Sequence, residues 1–268
     1  LRRQRQMCIR DRSNAAVKVF VGYDHVLAKS VQFVRDLLTE KKIGEIITFD
    51  VEFREHWGGI FDAHPWLAGP HESYLGYTDR GGGALCEHSH ALNLWQHFAH
   101  VLGYGNIEEV QADVKYVDDA LVRYDAIAAL NIQTQNGAFG RVIQDVVTKP
   151  AYKAATFKGE LGSIDLIINF KKGLDMVVVY GEDGHESVTN FEKTRPDDFI
   201  QEISHIEDHL NGRANQPHIL LDRGIETMLV IMAALRSSQT KKRVNIDWKN
   251  GYDSRGLYTQ FATKAETQ

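Results

Sequence analysis

The sequence predicts an α+β fold: an open, mostly antiparallel β-sheet with helices packed on one face. Three observations carry that expectation. Strand-length segments follow one another from residue 109 to residue 181 with only turn residues between them. The helical patterns are gathered before and after that run. The regular strand–helix alternation of a doubly wound sheet is missing.

The elements follow in chain order. "VKVFVGYDH" (17–25) reads as a short buried strand ending at Gly22. In "LAKSVQFVRDLLTEKKIG", Val31, Val34, Leu37 and Leu38 mark one face of a helix that Gly44 closes. "EIITFDVEFRE" alternates, with Ile47, Phe49, Val51 and Phe53 on one side and Thr48, Asp50, Glu52 and Arg54 on the other, as in a half-buried strand. Residues 56–83 form a long connection rich in Gly, Pro, His and aromatics, and connections of that length are usually functional or disordered. A helix is expected over 84–102. Six strands follow in "EVQADVKYV", "AIAALNIQT", "FGRVIQDVV", "AATFKG", "SIDLIINF" and "DMVVVYG", with Asn136-Gly137 as a hairpin turn that tolerates positive φ. Phe199, Ile203, Ile206 and Leu210 give the next helix its apolar face, Leu221 to Arg236 form another, and "RVNID" closes as a strand.

Composition bounds the function classes. The chain has 268 residues, 43% of them hydrophobic and 25% charged, as in ordinary globular proteins. A net charge of -5 and a pI near 6.2 argue against nucleic acid or an anionic membrane as partner. Cys8 and Cys86 are the two cysteines, so no disulfide framework is expected and a reducing, cytoplasmic setting is. The longest apolar run, Met228 to Leu235, is too short to span a bilayer. The basic start "LRRQRQMCIRDR" is followed by no apolar h-region, and is expected to be an artefact rather than a native arm.

Chemistry concentrates in "GGGALCEHSHALNLWQHFAH" (81–100). On a helix with about 100° between residues, Leu85, Leu92, Trp95, Ala99 and Leu102 form a buried stripe. His88 falls within it and reads as a core histidine held by a carbonyl. Glu87 and His90 lie three apart on another stripe, so their side chains are neighbours. A carboxylate beside an imidazole favours the charged ring and fixes its tautomer, which suits a general acid/base, although a surface Glu–His pair has the same spacing. No metal site is expected. His88 and His90 would point to different sides of the helix, and the spacing of His205 and His209 suits zinc but lacks the glutamate that metalloproteases place directly after the first histidine.

"GGGALCEHSHALN" resembles the helix motif of the glucose–fructose oxidoreductase / inositol dehydrogenase (Gfo/Idh/MocA) family. "VFVGYDH" is similar to the last strand of that family's nucleotide-binding domain, and "LTEKKIGEIITFDVEF" to the passage opening its substrate domain. "FKGELGSIDL" resembles its strand–turn pair, and "FIQEISHIEDHLNGR" with "LLDRGIETMLVIMAALRSS" its closing helices. On this pattern His90 matches the catalytic histidine. Glu87 and Asn93 stand where aspartates are usual, and Asp24 stands at a cofactor-side asparagine. No G-x-G-x-x-G follows a strand and no Glu-Lys-Pro segment is present, so the resemblance implies a chain lacking about a hundred residues of nucleotide-binding domain. The implied organisation is a non-native tail (1–16), a remnant of the lost Rossmann domain (17–26), a substrate and oligomerisation domain (27–250) and a polar tail (251–268).

The activity implied is hydride transfer between a sugar or cyclitol and NAD or NADP. His90 would exchange the hydroxyl proton and Glu87 would tune it. Arg54, His56, Trp57 and Trp66 would wall the substrate, since aromatic faces suit sugar C–H faces. Neither NAD nor NADP is expected to bind this chain tightly, and a homo-oligomer through the sheet is. The alternatives are a non-catalytic sugar-binding or oligomerisation module and, further off, a zinc-dependent hydrolase.

Overall fold

Alternation along β1 (Ile46–His56) decides which face of the sheet is buried. Phe49, Val51 and Phe53 are each 1% exposed, whereas Thr48, Asp50 and Glu52 between them stay partly in contact with water. The computed structural model describes residues 18–194, 196–213 and 218–250. It extends the buried row across the neighbouring strands: Phe49 lies opposite Phe157, Val51 opposite Ala155 and Val142, Val142 opposite Leu130, and Ala155 opposite Leu166.

The remaining strands are β2 (Ile107–Asp118), β3 (Arg123–Thr134), β4 (Phe139–Asp145), β5 (Val147–Gly159), β6 (Gly162–Lys171), β7 (Leu174–Gly181), β8 (Glu186–Glu192) and β9 (Val244–Asn245). They form one sheet in the order β8-β7-β6-β5-β1-β4-β3-β2-β9. β1 runs parallel to β4, and every other pairing in the sheet is antiparallel. The helices are α1 (Lys29–Thr39), α2 (Trp57–Ala63), α3 (His90–Val101), α4 (Asp197–Leu210) and α5 (Leu221–Thr240). α1 covers β6 and β7, α3 covers β1 and β4, and α5 covers β2. Trp95 of α3 stacks on Phe49 at 4.4 Å and donates its indole N–H to the Phe49 carbonyl at 2.8 Å. Such burial stabilises by about 1.5–3 kcal/mol per large side chain. The open, mostly antiparallel sheet with helices on one face is the architecture the sequence predicts. No described helix is long and apolar enough to cross a membrane.

Several elements depart from expectation for local reasons. The expected helix over 84–102 begins only at His90. Gln144 donates to the carbonyls of Ala84 and Leu85, and Asp125 takes the Leu85 N–H, so these backbone groups are engaged outside a helix. At the β3–β4 turn only Gly137 takes positive φ (91°), and Ala138 also belongs to the loop, where the Thr134 N–H bonds its carbonyl. β8 escapes sequence reading because it is an edge strand with no buried residue to set an alternation. α2 and three short 3-10 turns structure the 56–83 connection. The segment before Gly22 forms a single bridge, Phe20 to Leu220, rather than a strand. The predicted apolar face of α4 is not buried here: Phe199, Ile203 and Leu210 are more than half exposed, and Ile206 alone of the four packs against the core. The two expected tails, 1–16 and 251–268, lie outside the described residues.

His97 on α3 is 6% exposed, and its ring lies 4.9 Å from that of His218. Burial, then the nearby His218, drives its imidazole well below the ordinary value, so it stays neutral in the fold. Unfolded histidine takes a proton near pH 6.5. Below that pH the unfolded state therefore binds more protons than the fold does, and stability falls as the pH falls. Lowering the pH from 7 to 5 is expected to cost up to about 2 kcal/mol through this residue. Thermal midpoints of the chain and of His97→Leu at both pH values test it: the variant should show the shallower pH dependence.

Candidate active site

The glycine triplet works on the protein's own backbone. A Cβ on Gly82 would sit 2.3 Å from the carbonyl oxygens of Tyr74 and Leu75, and one on Gly83 (φ 93°) would sit 2.1 Å from Asp125 Oδ1. Only glycine lets the chain pass that close. Asp125, 1% exposed, accepts from Leu85 N at 2.6 Å and from Thr78 Oγ1 at 3.1 Å, fixing the turn that carries residues 84–89 to the start of α3.

That turn delivers two histidines to one side of β1. His88 Nδ1 lies 2.5 Å from Glu55 Oε2. Glu55 is two residues beyond Phe53 and so leaves β1 on the helix-covered face. Lys153, paired with Phe53 across β1 and β5, forms an ion pair with Glu55, and its Nζ lies 3.4 Å from His25 Nε2. His25 Nδ1 in turn bonds Asp24 Oδ1 at 2.8 Å. His90 closes the group, with Nδ1 3.7 Å from Asp24 Oδ1 and its ring 4.7 Å from that of His25 and 5.6 Å from that of Tyr23. Tyr23 and Ser89 share a hydrogen bond of 3.1 Å. The result is a continuous series, His88–Glu55–Lys153–His25–Asp24–His90.

Its electrostatics are set by confinement. Burial pulls the His90 imidazole down and the neighbouring His25 ring adds to this, while Asp24 opposes them; the net direction is strongly downward. Burial would raise the Asp24 carboxyl, but the His25 hydrogen bond and the nearby imidazoles outweigh it and hold it at about 2. Glu55 is raised by burial and lowered further by His88 and Lys153, ending well below the usual carboxylate range. The site thus pairs ionised carboxylates with a neutral imidazole. The His90 side chain keeps 30% of its surface exposed, while its Nδ1 is buried. Asp24, His25 and His90 each offer one ligand atom, all within 4.8 Å of one another, and are the described residues able to gather round a metal ion.

The GFO/IDH/MocA C-terminal domain profile matches residues 31–184, more than half of the chain. The chain belongs to the Gfo/Idh/MocA family. No curated protein sequence matches it. Among solved structures similar to this Gfo/Idh/MocA chain, an Agrobacterium radiobacter oxidoreductase in complex with NAD+, L-tartaric acid and magnesium is 21% identical, with a TM-score of 0.67 over 88% of this chain and 67% of that one. A levoglucosan dehydrogenase in complex with NADH and levoglucosan is 16% identical, with a TM-score of 0.66 over 85% and 66%. Aldose-aldose oxidoreductase from Caulobacter crescentus, complexed with glycerol, is 17% identical, with a TM-score of 0.68 over 89% and 67%. The chain thus spans about two thirds of the length of these structures.

Within this Gfo/Idh/MocA chain the expected site residues scatter. Glu87 does not pair with His90: its carboxylate accepts from the Tyr74 hydroxyl at 2.6 Å, because residues 84–89 are turns and three-residue spacing no longer aligns side chains. The carboxylate facing His90 is Asp24, which the resemblance placed on the cofactor side. His88, read as a core histidine held by a carbonyl, instead meets Glu55. Arg54 leaves β1 on the face opposite Phe53 and Glu55 and binds Glu52 and Asp145. His56 caps α2 by accepting from Gly58 N at 2.8 Å. Trp66 is 72% exposed beside His64, and Asn93 is buried against Thr227. Of the expected wall residues Trp57 alone lies against the series, its ring 5.7 Å from His88.

Tyr23, His25, Glu55 and Lys153 went unread in the sequence. Glu55 had a usable signal, since it continues the Phe49, Val51, Phe53 parity of β1 and so places an acid on the buried face. Lys153 had none, because its partner depends on the β1–β5 register.

Proposed function

We propose that this chain is the substrate-binding, proton-exchanging half of an NAD(P)-dependent oxidoreductase acting on a CH–OH group of a sugar or cyclitol. The observation that carries the reading is the convergence of His90, His25, Asp24, Glu55 and Lys153 beside the paired ends of β1 and β5, in the middle of the substrate-domain sheet. His90 takes the hydroxyl proton, and Asp24 and His25 orient and stabilise its ring as the proton arrives. Lys153 and His88 are held by Glu55 at the same place and offer hydrogen-bond donors to neighbouring hydroxyls. The levoglucosan and glycerol complexes of the similar structures support a polyol substrate class. The open face of the sheet, with Tyr152, Tyr180 and Val188 exposed, is the surface through which a second copy would pair.

The glycine triplet does not fit the phosphates of a dinucleotide. The space that a glycine-rich cradle would leave for phosphate is filled at Gly82 and Gly83 by the Tyr74 and Leu75 carbonyls and by Asp125. In this reading the nicotinamide is held by a part of the parent enzyme beyond these 268 residues. The chain by itself is therefore expected to show no turnover when NAD(P)H absorbance is followed with sugars and cyclitols, and turnover would overturn that assignment.

A further inference from the structure

We propose that Asp24, His25 and His90 bind one divalent transition-metal ion of the zinc class. Residue spacing alone offers no reason to expect this, because His25 enters the group only through the fold. Tetrahedral zinc bonds of about 2.0–2.1 Å place neighbouring ligand atoms about 3.3 Å apart. The Asp24–His25 contact of 2.8 Å and the Asp24–His90 contact of 3.7 Å bracket that spacing, and all three ligand atoms lie within 4.8 Å of one another, so the two rings close on the ion by small side-chain rotations. His90 Nδ1 is itself buried with no hydrogen-bond partner, an orphaned lone pair of the kind a metal satisfies.

The donor set and charge agree. Two imidazoles and a carboxylate suit zinc, cobalt or nickel better than magnesium or calcium. Asp24 and Glu55 bring two negative charges against the single positive charge of Lys153, which Glu55 already engages. Three protein ligands leave a fourth position open. A metal on His90 Nδ1 leaves the other ring nitrogen carrying hydrogen and with no lone pair to accept a substrate proton, so the loaded site is blocked. That consequence rests on the proton-transfer reading above; the binding does not.

Cobalt(II) titration of the 268-residue chain tests the site, since tetrahedral Co2+ absorbs in the visible range. One equivalent is expected to develop the band. His25→Ala and His90→Ala should each weaken binding by about tenfold or more, while His205→Ala leaves it unchanged. Circular dichroism and thermal midpoints separate loss of binding from loss of fold. Anomalous diffraction from zinc-soaked crystals of the unaltered chain supplies a second measurement, with the ion expected about 2.0–2.1 Å from a ring nitrogen of His90. No band, a band that survives both substitutions, or an ion seated on His205 and His218 overturns the proposal. Undiminished turnover by the zinc-loaded parent enzyme would overturn the blocking consequence alone, and the binding outcomes do not depend on whether His90 is the proton acceptor.

Discussion

If the proposed function holds, replacing His90 with asparagine in an enzyme that joins this chain to a nucleotide-binding part is expected to lower kcat by about a hundred- to ten-thousand-fold, the usual share of a positioned general acid/base. The substrate KM should change far less, because asparagine keeps a polar group at the ring's place. His90 sits at the first position of α3 with its side chain 30% exposed, and its immediate neighbours are Tyr23, Asp24 and His25. Steady-state kinetics with the preferred polyol checks it. Unchanged turnover would favour the alternative of a binding or oligomerisation module without chemistry.

Glu55→Gln is expected to be the most destabilising conservative change in the cluster. The Glu55 side chain is 20% exposed and holds Lys153 (18%) and His88 (12%) together. Removing its charge strands a largely sheltered ammonium, and breaking a buried pair from one side costs up to about 3 kcal/mol. For a chain of this size that is a fall in thermal midpoint of about 6–12 °C. The pH dependence has a definite sign. The carboxyl of Glu55 is held below its unfolded value near 4.3. Its contribution is therefore complete above that pH and is lost as the pH falls toward the depressed folded value. The gap between parent and variant should be full at pH 7 and narrow progressively below about pH 4. A gap independent of pH would mean that packing, not charge, is what Glu55 supplies.

The fold was legible wherever one face of a segment is buried. Phe49, Val51 and Phe53 announce β1, and the strand patterns from 109 to 181 announce the sheet, because burial writes a period of two into the sequence. β8 and α2 were not legible, since an exposed edge strand and a seven-residue helix impose no such period. The candidate site was half legible. His90 stands out by motif, yet its partners do not: Asp24, His25, Glu55 and Lys153 come from a turn and two strands that meet only when β1 pairs with β5. Glu87 misled because helical spacing was assumed for residues 84–89, where Gln144 and Asp125 hold the backbone in turns. A local rule failed where tertiary hydrogen bonds overrode it.

The central claim is that His90 meets the reacting hydroxyl of a polyol. A crystal structure of the chain soaked with glycerol or a cyclitol tests it most directly. The account predicts a hydroxyl oxygen within about 2.6–3.2 Å of a ring nitrogen of His90, with Lys153 or His88 on an adjacent hydroxyl. A cleft of about 620 Å³ also opens between α1 and α4, lined by Gln32, Arg35, Gln201, His205 and His218. A polyol seated in that cleft, with His90 untouched, would contradict the account.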